Sequence, residues 1–283
     1  MQSNIKIYHE IKKLIRLLFS EVGIIRSKLN YALNYLIYFK YNRNVKNSKS
    51  QYKYFDKNKF LKTGFTKFKF FNFSMDEYKI LNSKVHDKKN ETSFKDYWSD
   101  ILFDETEIKK KIANQILSTE IFEFAKEYFG KLPMLRSICC YHTPGMKKIE
   151  ATSSMNWHKD LHHKKLIKIM FFVSDVFKEN GPTTVINKID SKKIKYVNYP
   201  DYFSDEDLKK QNKEIEINEL TGKKSEGYMI DTANCFHMGS RSNLDRTQII
   251  ITICPYPSNL SPFKNLNQDP CLNSFNKNLS KII

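Results

Sequence analysis

No apolar run in the 283 residues reaches the roughly 18 expected of a membrane-spanning helix, so an integral membrane protein is not the expectation. The five cysteines include an adjacent pair, Cys139 and Cys140, but no C-x-x-C. That spacing gives a disulfide framework or a structural zinc little to use and fits a reducing compartment. The N-terminus carries no secretory apolar core with a small-residue cleavage site, and a cytoplasmic protein is the expectation. A Gly-rich phosphate loop and a G-x-S-x-G elbow are both missing, which removes the usual sequence argument for phosphate cradling or for a serine or cysteine nucleophile. H-E-x-x-H is missing too. His158 and His162 stand four apart without the glutamate of a zinc-binding helix, and their neighbours read as strand and loop.

Acidic residues are scarce at one end. Residues 1–70 hold 3 Asp+Glu against 16 Lys+Arg, so +13 of the net +17 lies there and the rest of the chain carries +4. The chain is also rich in Lys, Asn and Ile, which AT-biased coding produces without selection for a polyanionic partner. From Ile5 to Phe39 apolar residues recur at helical spacing (Ile7, Ile11, Leu14, Leu18, then Ile25, Leu29, Ala32, Leu36), with Gly23 as a break. Lysines and arginines take much of the other face. Such helices either pack on the folded domain and show their lysines to water, or lie on an anionic membrane surface with Tyr31, Tyr35 and Tyr38 at headgroup level. Residues 42–59 read as a linker. Their Lys/Tyr/Phe interleaving suits single-stranded nucleic acid, but no recognised module accompanies it, and a nucleic-acid partner is not expected.

The length allows one well-cored domain with an N-terminal extension, and an aromatic content of 14% supports a packed interior. The expected division is a basic helical extension and linker over 1–58, a folded domain over 59–257 and a tail over 258–283. Phe60 to Phe73 reads as a strand or two leading into the domain. Helices are expected near 105–117 and 119–129, with Gly130 and Pro133 as the stop. After Pro133 the period shortens to two. Strands are expected over 135–141, 155–160, 166–173, 183–186, 228–231, 235–238 and 246–253, with Glu179-Asn180-Gly181-Pro182 as a strong turn. A short helix is expected near 204–211, with Ser204 as N-cap. About eight short strands with turn signals point to a mainly β chain built on a double-sheet jelly roll, the double-stranded β-helix, with flanking helices.

One stretch of this pattern carries chemistry. In Trp157-His158-Lys159-Asp160, His158 and Asp160 are two positions apart, so a strand presents both on one face to a single cation. A third nitrogen from a distant strand would complete a two-histidine, one-carboxylate facial set, the donor set of non-haem Fe(II) sites with open positions. Cys235-Phe236-His237-Met238-Gly239-Ser240-Arg241 holds a histidine 77 residues beyond Asp160, far enough for the intervening strands.

The ordered set Trp157 to Asp160, the strand 166–176, the turn Glu179 to Pro182 and His237 to Arg246 resembles the phytanoyl-CoA dioxygenase-like branch of the Fe(II)/2-oxoglutarate oxygenases. Leu161-His162 also looks like that family, and the resemblance covers about residues 60–257. It implies that His158, Asp160 and His237 ligate Fe(II), and that Arg246 grips the distal carboxylate of 2-oxoglutarate through paired charge-assisted hydrogen bonds. Arg241 is the alternative for that role. Tyr141 and Ser240 become candidates for hydrogen bonds to the co-substrate, with ordinary packing as the plainer reading of each. Asn156 and Trp157 would orient the ligands or wall the pocket.

The resemblance further implies dioxygen and a small-molecule substrate as reaction partners. It implies hydroxylation rather than halogenation, because Asp160 retains the carboxylate that halogenating relatives lack. Two features depart from the family pattern. Asn187-Lys188-Ile189-Asp190 replaces Pro-Gly-Ser-His, and Gly227-Tyr228 replaces Gly-Asp. Two other readings stay open at this point: a jelly-roll binding module with a relict site, and a protein whose basic N-terminal arm binds anionic membrane or nucleic acid.

Overall fold

The structure, a computed structural model, describes residues 52–69, 80–81, 99–100, 106–117, 120–130, 133–145, 151, 153–160, 163–195, 202–211, 214–239 and 241–255. The expected helices over 5–39, the tail over 258–283, and Leu161, His162 and Ser240 lie outside those residues.

The described chain opens with a helix where a strand was expected. Helix α1 (Lys57–Thr63) starts at Asp56, whose side chain accepts the Lys59 N–H at 2.9 Å, and ends at Gly64, a left-handed C-cap with φ 82°. Such caps satisfy backbone groups that a strand would have paired with a neighbour, and a residue with a Cβ is disfavoured at that φ. The expected strand survives as β1 (Phe65–Phe68), and a short strand β2 (Ser99–Asp100) follows later.

Helices α2 (Thr106–Leu117) and α3 (Glu120–Phe129) fall within a residue of their expected bounds. In α3, Ile121, Phe124, Ala125, Tyr128 and Phe129 are buried at the spacing of one helix face. Phe124 packs edge-on against Phe55 and Phe60, with ring centroids 4.9 and 5.3 Å away. Full burial of each such ring contributes roughly 1.5–3 kcal/mol.

The strands form two sheets among the described residues. The larger is antiparallel with the order β1, β7 (Gly227–Asp231), β4 (Ile167–Phe172), β9 (Arg246–Pro255), β3 (Pro133–Thr143), β2. The smaller runs β6 (Ile217–Glu219), β5 (Thr184–Ile186), β8 (His237–Met238). Isolated antiparallel bridges from His158 to His237 and from Trp157 to Phe203 continue its edge. This is the double-stranded β-helix. The expected strand over 155–160 is instead a 3-10 turn (Ser153–Met155) followed by those two bridges, a more irregular edge than strict alternation predicts. Among the described residues no helix is long and apolar enough to cross a membrane.

The larger sheet has two unlike faces. Ile249, Ile251 and Ile253 of β9 and Ile167, Ile169 and Phe171 of β4 join the core under α1, α2 and α3. Pleating sends their neighbours Arg246, Gln248, Ile250, Thr252, Lys168, Met170 and Phe172 to the inner face, toward the smaller sheet. Tyr141 lies on that inner face as well, opposite Gln248.

Two short helices hold the smaller sheet. Asn187 caps α4 (Lys188–Ser191) by accepting the Asp190 N–H at 2.8 Å, so Asn187-Lys188-Ile189-Asp190 is a capped helical turn. Ser191 then donates to the Ile186 carbonyl at 3.0 Å and accepts the Phe236 N–H at 2.9 Å, pinning the segment before His237 to β5. Ser204 and Asp207 cap α5 (Asp205–Lys210) reciprocally, as expected.

Candidate metal centre

His158 and His237 face each other across the edge of the smaller sheet. Each backbone N–H donates to the other's carbonyl, at 3.0 and 2.9 Å. This doubly bonded pair sets the rings 4.2 Å apart, centroid to centroid. Asp160, two residues along, donates its N–H to the Thr232 carbonyl at 2.9 Å, which anchors it to the turn after β7. One atom from each of His158, Asp160 and His237 lies within 4.8 Å of the others.

The hydrogen bonds decide which ring nitrogens face inward. The His158 Nδ1 lies 2.9 Å from the Asn156 carbonyl and the His237 Nδ1 lies 3.2 Å from the Cys235 carbonyl. A carbonyl only accepts, so in each neutral ring Nδ1 carries the proton and Nε2 keeps its lone pair for a cation. Both rings are held neutral. Burial lowers His158, and burial with the neighbouring His158 ring pushes His237 down to about 3.

Asp160 goes the other way. Burial pushes its carboxyl up, but the Lys168 ammonium beside it outweighs burial and holds Asp160 well below the usual carboxylate range. Two neutral imidazoles and a carboxylate are the donor chemistry of a divalent-metal site. The His237 Nε2 stands 3.9 Å from Asp160 Oδ2.

Arg246, first residue of β9, is almost fully buried and points into the space between the sheets. Its seat is the turn at 178–182. The Gly181 carbonyl accepts from the guanidinium. Gly181 has φ 59°, and a Cβ there would stand 2.6 Å from the Arg241 carbonyl carbon, so both conformation and space require glycine. Asn180 completes the turn by accepting the Phe177 N–H at 2.9 Å and donating to the Asp245 carbonyl at 2.8 Å. Burial lowers Arg246 to about 10, which leaves it charged at neutral pH. Gln248, next on the same face, is buried, and its Oε1 has no hydrogen-bond partner among the described residues.

Arg241 has a different task. It donates to the Met155 carbonyl at 2.7 Å and pairs with Asp205, which also accepts the Trp157 Nε1–H at 2.7 Å. Trp157 packs with Ile186, Ile194, Leu208 and Phe236. Pleating turns it to the opposite face from His158, where it braces the edge and does not wall the space at the triad. Asn156 orients His158 through its carbonyl and not through its side chain, which donates to the Ala151 carbonyl at 2.9 Å.

Two residues near the triad were missed in the sequence. Lys168 places its Nζ 2.7 Å from Asp160 Oδ2. Its signal was present: it is the lone charge in the apolar run 166–173, on the face opposite Ile167 and Ile169. Tyr202, about half exposed, lies with its ring 5.2 Å from that of His158, and nothing in the polar run around it marks it.

No protein-family model matches the chain, and no curated protein matches it. Solved structures do. The non-heme alpha ketoglutarate dependent epimerase SnoN from nogalamycin biosynthesis superposes with a TM-score of 0.50 at 9% identity, covering 75% of this chain and 85% of its own. EctD from S. alaskensis with bound Fe gives 0.49 at 16% identity over 70% of this chain and 75% of its own. AviO1 from Streptomyces viridochromogenes Tue57 gives 0.49 at 11% identity over 72% and 96%. At these identities the likeness is one of fold.

Proposed function

We propose that the chain is an Fe(II)- and 2-oxoglutarate-dependent oxygenase that hydroxylates a small molecule and releases succinate and CO2. One observation carries the reading. His158 and Asp160 near mid-chain and His237 on β8 converge with both Nε2 lone pairs free and an ionised carboxylate beside them. The fold shared with SnoN, itself non-heme and alpha ketoglutarate dependent, is consistent with this class, but the donor set is the argument.

In this reading His158, Asp160 and His237 hold the metal. Arg246 takes the far carboxylate of the co-substrate, because it is a fully buried cation facing inward, whereas Arg241 is spent on Asp205 and Met155. Gln248 and Tyr141, side by side on the inner face, line the same space and offer hydrogen bonds to co-substrate oxygens. Ser240 stays a candidate from its place after His237. The bound iron supplies oxygen activation coupled to decarboxylation of the 2-oxo acid, one oxygen atom going to the substrate and one to succinate. The protein supplies a dry, fixed setting. The catalytic unit is residues 59–257, with 1–58 as a basic extension and 258–283 as a tail.

Anaerobically purified protein is expected to bind one Fe(II) per chain and then 2-oxoglutarate, and to form succinate in air. His158→Ala and Asp160→Ala are expected to abolish all three. A wild-type protein that binds neither Fe(II) nor 2-oxoglutarate would overturn the proposal.

A further inference from the structure

Lys168 faces inward from β4 among neutral neighbours. Its partners across the strands are Ile230 on β7 and Thr252 on β9, and Ser137 lies beyond Thr252 on β3. Its Nζ therefore reaches out of an uncharged row to Asp160 Oδ2, 2.7 Å away, with the two side chains 23% and 16% exposed. That same oxygen is the one 3.9 Å from His237 Nε2. A cation held through this oxygen shares it with the ammonium.

We propose that Lys168 is a resident counter-cation of the metal centre, occupying Asp160 while the metal is away and weakening divalent-cation binding when it arrives. The inference rests on reading His158, Asp160 and His237 as a metal centre. With metal to oxygen bonds of about 2 Å, a divalent ion on Oδ2 stands within about 5 Å of the ammonium. Like charges at that separation repel strongly in a partly buried site.

Lys168 also helps to hold Asp160 in place, so the sign of its effect has to be decided. The backbone at Asp160 has other anchors: the Asp160 N–H on the Thr232 carbonyl, and the doubly bonded His158–His237 pair two residues away. The place of Asp160 beside the two histidines therefore does not depend on the lysine, a bound cation takes over its role at the carboxylate, and repulsion dominates. The lysine stabilises the metal-free protein by pairing a partly buried carboxylate, and it sets the threshold of cation that the site needs.

The test measures Mn(II) affinity by calorimetry at neutral pH, without 2-oxoglutarate, for the wild type, Lys168→Met and Lys168→Arg. Melting temperatures of the metal-free proteins are taken alongside. Lys168→Met is expected to bind Mn(II) about tenfold more tightly or better, and to melt lower than the wild type when metal-free. Lys168→Arg is expected to keep wild-type affinity. A Lys168→Met affinity equal to or weaker than the wild type overturns the proposal, because a purely structural lysine lowers the melting temperature without any gain in affinity. If neither wild type nor Lys168→Met binds Mn(II), the metal-centre reading itself falls, a result distinct from equal binding by both.

Discussion

The two faces of the large sheet do opposite work with the same strands. On β9, Ile249, Ile251 and Ile253 enter the core beneath the helices, while Arg246 and Gln248 turn inward with their polar atoms buried. On β4, Ile167 and Ile169 face the helices and Lys168 faces the triad. The outer face stabilises the fold by removing apolar surface from water. The inner face holds charges away from water, which stabilises nothing by itself and is tolerated where the charges have partners or await them. Substitutions should therefore separate cleanly into those that damage the fold and those that damage the site.

The sharpest break comes from Asp160→Ala. Succinate formation and Fe(II) binding should fall by more than about 100-fold, beyond the loss typical of a residue that only supports a ligand, while circular dichroism shows the same strand content. Phe124→Ala, on the helical side, should do the reverse. It costs about 3–5 kcal/mol in urea unfolding and leaves the Fe(II) affinity of the folded fraction intact.

Arg246→Met should raise the 2-oxoglutarate concentration for half-saturation by about 100-fold, the loss of roughly 3 kcal/mol of charged hydrogen bonding. Fe(II) affinity should stay near wild type. A failure here with Arg241→Ala showing the loss instead would move the carboxylate site to the other arginine.

Acid should act through the inner face. His237 has an ordinary value of 6.5 and is pushed down to about 3 by burial and His158. Between those values the unfolded chain binds a proton that the folded chain refuses, so stability falls as pH drops from 6.5 toward 3. His237→Gln should flatten that slope in metal-free thermal melts. The smallest effect is expected of Arg241→Ala. Its partly exposed pair with Asp205 is worth no more than about 1 kcal/mol, and 2-oxoglutarate binding should not change.

The sequence was legible where a local rule applies. The helical face of α3, the Ser204 cap and the strands on either side of the triad follow from periodicity, capping chemistry and turn residues, and each was readable within a residue or two. Lys57–Thr63 was misread because caps at Asp56 and Gly64 outweigh a weak alternating pattern. The 155–160 segment was read as more regular than it is, since an edge strand can keep its direction with only two bridges.

By themselves the residues determined that a strand-rich domain follows Pro133, that His158 and Asp160 travel together, and that a histidine and two arginines lie downstream. Tertiary structure decided the rest. It brought His237 to His158 through a reciprocal pair of backbone hydrogen bonds, buried Arg246 under Gly181 while tying Arg241 to Asp205, and set Lys168 against Asp160. Spacing along a chain constrains only near neighbours. His158 and His237, 79 residues apart, meet because strand pairing and burial choose one register for the whole sheet, and no local pattern records that choice.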